Sequence, residues 1–164
     1  MNFERGMSLI ELMVTVLIFA VIASAGVPAM QSLFERKSID SISRSFNQSM
    51  QLARSEAIQR SAIVRVQPIS NGNNWANGWE LEFTNSDGND EVIRSFPLST
   101  TSSPNLVFES DDFSKALPIE ILANGQANTI GDLNLYNTGT GTNKGLKFEL
   151  QLSGLIKKSQ TTGH

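Results

Sequence analysis

The chain contains no cysteine and one histidine, His164. Without thiols there is no disulfide, no thiolate nucleophile and no zinc–thiolate site, so the fold has to be held by packing. A single histidine leaves no cluster of imidazoles for a metal and little material for a hydrolase triad. Neither a nucleophile elbow, a phosphate-cradling glycine loop nor a metal-ligand spacing occurs in the sequence. The expectation is a chain that is not an enzyme and needs no cofactor. Charge is also sparse, at 18% of residues, and none occurs between Glu11 and Glu35. The net charge of -3 disfavours general attraction to a phosphate backbone, so any nucleic-acid contact would need a local patch.

What is present is unevenly placed. The 164 residues suffice for one domain and an added element. Mean hydropathy is -0.14, yet Leu12 to Ala25 is almost wholly apolar. The run continues to Leu33, interrupted by little except Thr15, Ser24, Gln31 and Ser32. That is about the ~20 residues needed to cross a bilayer as a helix. Three readings compete: a cleaved secretory signal ending near Ala23-Ser24-Ala25, a plain anchor, and a leader followed by a retained helix. Glu11 favours the third. An acidic group deep in a bilayer costs roughly 2.5–3.5 kcal/mol, and neither a disposable signal nor a passive anchor gains from it. Such a group calls for a partner.

Arg5-Gly6-Met7-Ser8-Leu9-Ile10-Glu11-Leu12 resembles the prepilin leader motif of type IV pilins and type II secretion pseudopilins. The resemblance implies that prepilin peptidase cuts after Gly6 and methylates the new amino terminus at Met7, where the family more often has phenylalanine. It also implies that Glu11 pairs with the freed amine of a neighbouring subunit. Opposite charges held in a low-dielectric layer attract strongly and are each costly alone, which rewards side-by-side assembly. Pro28 removes a helix hydrogen bond and predicts a kink; the family resemblance implies a segment there that melts when the filament packs. Arg5 and the amino terminus, partly offset by Glu4, place the N-terminus on the cytoplasmic side and the rest outside.

Beyond Glu35-Arg36-Lys37, the apolar residues Ile39, Ile42, Phe46, Met50, Ala53 and Ala57 recur in steps of three and four. This predicts an amphipathic helix to about Arg60 whose stripe packs on a sheet. After Ala62 the pattern changes to short strands and turns. Candidates are Ile63 to Pro68, Trp79 to Asn85, Glu91 to Phe96, Leu106 to Glu109, Ile119 to Ala123, Asp132 to Tyr136, Leu146 to Leu152 and Leu155 to Ser159. The expected fold class is α+β: one long helix packed on an antiparallel, β-rich globule. Leu52 to Arg60, and Trp75 to Phe83 followed by Asp87-Gly88 and Val92-Ile93-Arg94, are similar to the helix end and hairpin of the GspH/FimT family of minor pilins and pseudopilins. The similarity is weakest between Ser95 and Leu117. The expected organisation is a leader at 1–6, a transmembrane and assembly segment at 7–33, an amphipathic continuation at 34–62 and a periplasmic globule at 63–164.

Further candidates were weighed on their residues. Asn85 to Glu91 offers oxygens for calcium, but Asp87-Gly88 between apolar runs reads as a hairpin turn. Trp75 and Trp79 have the chemistry to stack on bases or sugars; packing under a loop is the plainer expectation. Arg54 and Glu56 point to different helix faces, so each is expected to pair in the sheet or in a neighbouring subunit. Glu80 and Glu82 share a strand face as solvated charge. Some FimT proteins that assist DNA uptake carry Gly-Arg-x-Arg near the position of Gly154. Here Leu155 replaces the first arginine, leaving Lys157 and Lys158 as candidate DNA contacts without the planar fork of arginine.

The resemblance thus implies a FimT- or FimU-like minor pilin that primes or caps a type IV pilus. The alternatives are an H-type minor pseudopilin of a type II secretion system and a DNA-binding minor pilin. Implied partners are prepilin peptidase, other minor and major pilins or pseudopilins, and the bacterial inner membrane, crossed once.

Overall fold

The computed structural model describes residues 8–98, 105–139 and 144–162, with the side chains at 25–29, 31–33, 35, 144 and 162 outside the description. The elements are α1 (Leu9–Arg60), β1 (Val64–Pro68), β2 (Gly78–Thr84), β3 (Asp90–Pro97), β4 (Leu106–Glu109), β5 (Ile119–Ile121), β6 (Gly131–Asn137), β7 (Lys144–Leu150) and β8 (Ile156–Thr162). The residues form two compact units that divide between Arg36 and Lys37.

In the first unit α1 begins at Ser8, whose carbonyl accepts the N–H groups of Glu11 (3.0 Å) and Leu12 (3.1 Å). Apart from Glu11 and Thr15, the side chains from Leu9 to Ile22 are apolar and exposed, reaching 79% at Leu9 and 72% at Phe19. Its hydroxyls turn inward to the backbone. Thr15 Oγ1 donates to the Leu12 carbonyl at 2.8 Å and Ser24 Oγ to the Val21 carbonyl at 2.8 Å, which is how a helix satisfies hydroxyls where water is scarce.

In the second unit α1 carries the expected stripe. Ile42, Phe46, Met50, Ala53 and Ala57 are buried. Two antiparallel sheets receive them, in the orders β3-β2-β1-β5 and β4-β6-β7-β8. Phe46 is central: its ring meets Trp79 of β2 at 5.3 Å, Phe108 of β4 at 5.3 Å and Phe148 of β7 at 5.4 Å between centroids. One helical side chain therefore joins both sheets, with the edge-to-face geometry that aromatic quadrupoles favour. Alternation decides the rest. In β2, Trp79 and Leu81 point inward while Glu80 and Glu82 face out.

The sheets are also tied by the segment before β2. Trp75 N–H donates to the Phe108 carbonyl at 2.7 Å, and Gly78 N–H to the Trp75 carbonyl at 2.9 Å. Gly78 has φ +105°, and a Cβ there would collide with the backbone of Phe96 and Pro97, so the tight entry into β2 requires glycine.

All eight expected strands form, and two of them end two residues early for visible reasons. β5 stops at Ile121 rather than Ala123 because Leu122 and Gln126 close a turn, with Leu122 N–H donating to the Gln126 carbonyl at 2.8 Å. β7 stops at Leu150 rather than Leu152 because Gln151 N–H turns back to the Leu155 carbonyl at 3.0 Å. Between Leu81 and Glu82 the β2–β3 register shifts by a bulge, after which Ile93 packs against the core.

The helix ends in a Schellman arrangement. Ser61 N–H donates to the Ile58 carbonyl and Ala62 N–H to the Ala57 carbonyl, at 3.3 and 3.2 Å. Ser61 holds φ +51° there, a left-handed conformation usually given to glycine.

Candidate functional site

The leader junction at Gly6 and Met7 lies outside the described residues, as does the side chain of Pro28. The backbone of α1 is helical without interruption through position 28, so the kink expected from that proline does not appear as a break in the helix. Glu11 is exposed in the first turn of α1, three residues after Ser8. A carboxylate there complements the positive end of the helix dipole, and Ser-x-x-Glu is the spacing of a capping box. By position and spacing Glu11 suits the start of a helix.

Among the described residues no helix is long and apolar enough to cross a membrane. The apolar stretch with described side chains ends at Ser24, short of the roughly 20 residues a span requires. The sequence continues apolar beyond that point to Leu33, through positions whose side chains are not described.

The two candidate DNA contacts do not act together. β8 pairs with β7 so that Lys157 lies opposite Glu149 and Lys158 opposite Phe148. Adjacent strand residues face opposite ways, which puts the two lysines on different faces of the sheet. Lys157 Nζ lies 3.2 Å from Glu149 Oε2, and on the same face Lys147 Nζ lies 2.7 Å from Asp132 Oδ2. The hydrogen bond to Asp132, and then its charge, hold the Lys147 ammonium above its usual range. The outer face of this sheet mixes both signs, with Asp132 opposite Glu149 and Glu149 opposite Lys157, and is not a cationic stripe.

Between β2 and β3 the acidic loop is a closed hairpin. Asn85 Oδ1 accepts the N–H groups of Asp87 and Asn89, each at 3.0 Å, and Asn85 Nδ2 donates to Glu91 Oε1 at 2.6 Å. Asp90 accepts from Thr84 Oγ1 at 2.8 Å and from the Arg65 guanidinium. These bonds, Thr84 first and Arg65 next, hold the Asp90 carboxyl below its ordinary pKa. One oxygen each of Asn85, Asp90 and Glu91 is thus already engaged by N–H, hydroxyl or guanidinium donors within the hairpin.

Both tryptophans are fully buried and belong to the core. Two expectations about charge need correction. Glu56 pairs within its own helix, with Arg60 Nε at 2.7 Å, because i, i+4 spacing brings the two together; Arg60 also lies 4.3 Å above the Phe83 ring. Glu80 is not simply solvated. It accepts from Lys115 Nζ at 3.3 Å and Gln67 Nε2 at 3.2 Å. Its neighbour Glu82 is pushed above the usual carboxylate pKa, first by burial and then by Glu80. Arg54 reaches past the strands to the turn between β7 and β8, donating to the Ser153 carbonyl.

Sequence reasoning passed over Ser49, which is fully buried on α1. Its one visible signal was a position three residues after Phe46, beside the apolar stripe.

Comparison with known proteins agrees with this architecture. Residues 43–154 match the family model described as type II transport protein GspH. Residues 1–27 match the prokaryotic N-terminal methylation motif. No curated protein sequence matches the chain. Among solved structures, the type IV minor pilin FimU of Pseudomonas aeruginosa PAO1 is similar at a TM-score of 0.59 and 20% identity, covering 77% of this chain and 92% of that one. The minor pseudopilin EpsH of the Vibrio cholerae type 2 secretion system is similar at 0.57 and 15% identity, covering 74% and 95%.

Proposed function

Because the chain belongs to the GspH family of type II transport proteins, we propose that it is a structural subunit of a filament anchored in the bacterial inner membrane, and specifically a minor pilin of the FimU kind. The observation that carries this reading is the contrast within one helix. From Lys37 onward α1 buries its apolar stripe in the core, whereas from Leu12 to Ile22 every side chain except Thr15 is apolar and exposed. A helix of that second kind belongs in lipid or against like helices.

In this reading prepilin peptidase cuts between Gly6 and Met7 within the methylation motif, and Met7 receives the methyl group. Glu11 then pairs with the amine of an adjacent subunit, Pro28 lies in the packed segment, and the run to Leu33 spans the membrane with the globule in the periplasm. The subunit joins other minor pilins to prime or cap a type IV pilus. It acts by assembly and not by catalysis.

The family description and the likeness to EpsH support a second reading, an H-type pseudopilin in a type II secretion system. Replacement in a host with both machines separates them: loss of surface pili supports the first, and loss of exoprotein secretion with pili intact supports the second. A DNA-uptake role has less support, since Lys157 is paired and Lys158 faces the other way.

The assembly reading is tested with Glu11→Ala and Ser8→Ala side by side. Lateral pairing predicts that Glu11→Ala abolishes assembly while the processed protein still inserts in the membrane, and that Ser8→Ala has little effect. If Glu11→Ala assembles normally, or if both variants fail equally with loss of helix, Glu11 serves only to start α1. Mature protein beginning at Gly26 would replace the whole reading with that of a free periplasmic protein.

A further inference from the structure

Three Asn-Gly dipeptides occur in the chain: Asn71-Gly72, Asn77-Gly78 and Asn124-Gly125. In such a pair the missing Cβ leaves the glycine nitrogen sterically open to attack the side-chain carbonyl carbon of the asparagine before it. Attack requires a free backbone N–H and an asparagine amide able to turn toward it.

The fold restrains two of the three. Gly78 N–H donates to the Trp75 carbonyl at 2.9 Å, and Asn77 Nδ2 donates to Ser70 Oγ at 2.6 Å. Gly125 N–H donates to the Leu122 carbonyl at 2.8 Å, while the Asn124 amide exchanges two hydrogen bonds with Gln126, both at 2.9 Å. Asn71 and Gly72 differ. Both are exposed, and among the described residues neither the Asn71 amide nor the Gly72 N–H has a partner. The space where a Gly72 Cβ would sit is open, at φ +88°. Only the Gly72 carbonyl is held, by Lys115 N–H at 3.0 Å.

We propose that Asn71 is a site of spontaneous covalent modification, deamidating selectively in the folded protein. The Gly72 nitrogen gives its proton to solvent base and forms a bond to Asn71 Cγ. The adduct collapses with cleavage of the Cγ–Nδ2 bond, the departing nitrogen takes up a proton, and ammonia leaves a five-membered succinimide. Water then opens the ring at either carbonyl, giving aspartate or isoaspartate at position 71. Water is the only co-reactant, and nothing is oxidised or reduced. Each event adds one negative charge to the loop between β1 and β2. The isoaspartyl product also lengthens the backbone beside the Gly72–Lys115 contact and close to the Asn74–Glu109 bridge between the sheets.

The test uses the full chain in detergent micelles, held in warm, mildly alkaline buffer, with peptide fragmentation by mass spectrometry to locate each conversion of asparagine to aspartate or isoaspartate. The expected result is that Asn71 converts several-fold faster than Asn77 or Asn124 in the folded protein, and that all three converge in concentrated urea. Asn71→Gln, whose longer side chain makes ring closure unfavourable, should remove the fast product. The proposal is overturned if Asn77 or Asn124 keeps pace with Asn71 while folded, or if the fast product survives in Asn71→Gln.

Discussion

The indole nitrogen of Trp79 donates a hydrogen bond of 2.8 Å to Ser49 Oγ, and both residues are fully buried. Ser49 Oγ in turn donates to the Phe46 carbonyl at 2.7 Å, so one hydroxyl serves as acceptor for the sheet and donor to the helix. Replacement by alanine leaves a buried N–H without a partner, which costs about 1–3 kcal/mol. Ser49→Ala should therefore lower the urea midpoint with little change in slope. Ser49→Thr, which keeps the hydroxyl, should lose less.

The helix end offers the opposite opportunity. Ser61 occupies the left-handed position of the Schellman turn, a conformation that costs a residue bearing a Cβ roughly 1–2 kcal/mol. Glycine removes that strain and gives back part of the gain through a freer unfolded chain. Ser61→Gly is expected to raise stability by about 0.5–1 kcal/mol on balance, read as a higher thermal midpoint. A lower midpoint would show that the serine has a compensating role.

Two carboxylates on one sheet face work in opposite directions with pH. Asp90 has its folded pKa depressed, so its contribution is present above the unfolded pKa and fades as pH falls through the lower, folded one. Glu82 has its folded pKa raised, first by burial. Its contribution is present below the unfolded pKa and is lost as pH rises through the folded value. Glu82→Gln should therefore stabilise the protein at neutral pH and lose that advantage in mildly acidic buffer. Urea midpoints at the two conditions test this; an advantage that is the same at both would assign it to packing and not to charge.

Much of this was legible in the chain because periodicity reports which side of an element is buried. The stripe Ile42, Phe46, Met50, Ala53 and Ala57 and the alternation through Trp79 and Leu81 were readable before any coordinates. Pairings between distant segments were not. Nothing near Glu80 in sequence marks Lys115 as its partner, and nothing near Trp79 marks Ser49. Register determines such contacts, and a shift of one residue reverses every side chain on a strand. The same limit applies to Lys157 and Lys158: adjacency suggested a joint basic patch, whereas the ladder sends them to opposite sides. Apolar character runs on to Ala123 and Leu152, past strand ends that are set by the backbone hydrogen bonds of the following turns.

Phe46 meets Phe148 on the last hairpin as well as Trp79 on β2. Neither sheet can therefore shield its inner surface until ribbons made early and late in synthesis have both arrived. Such reliance on sequence-distant contacts slows folding. It also means that a partly synthesised chain presents raw aromatic surface until its last strands are made.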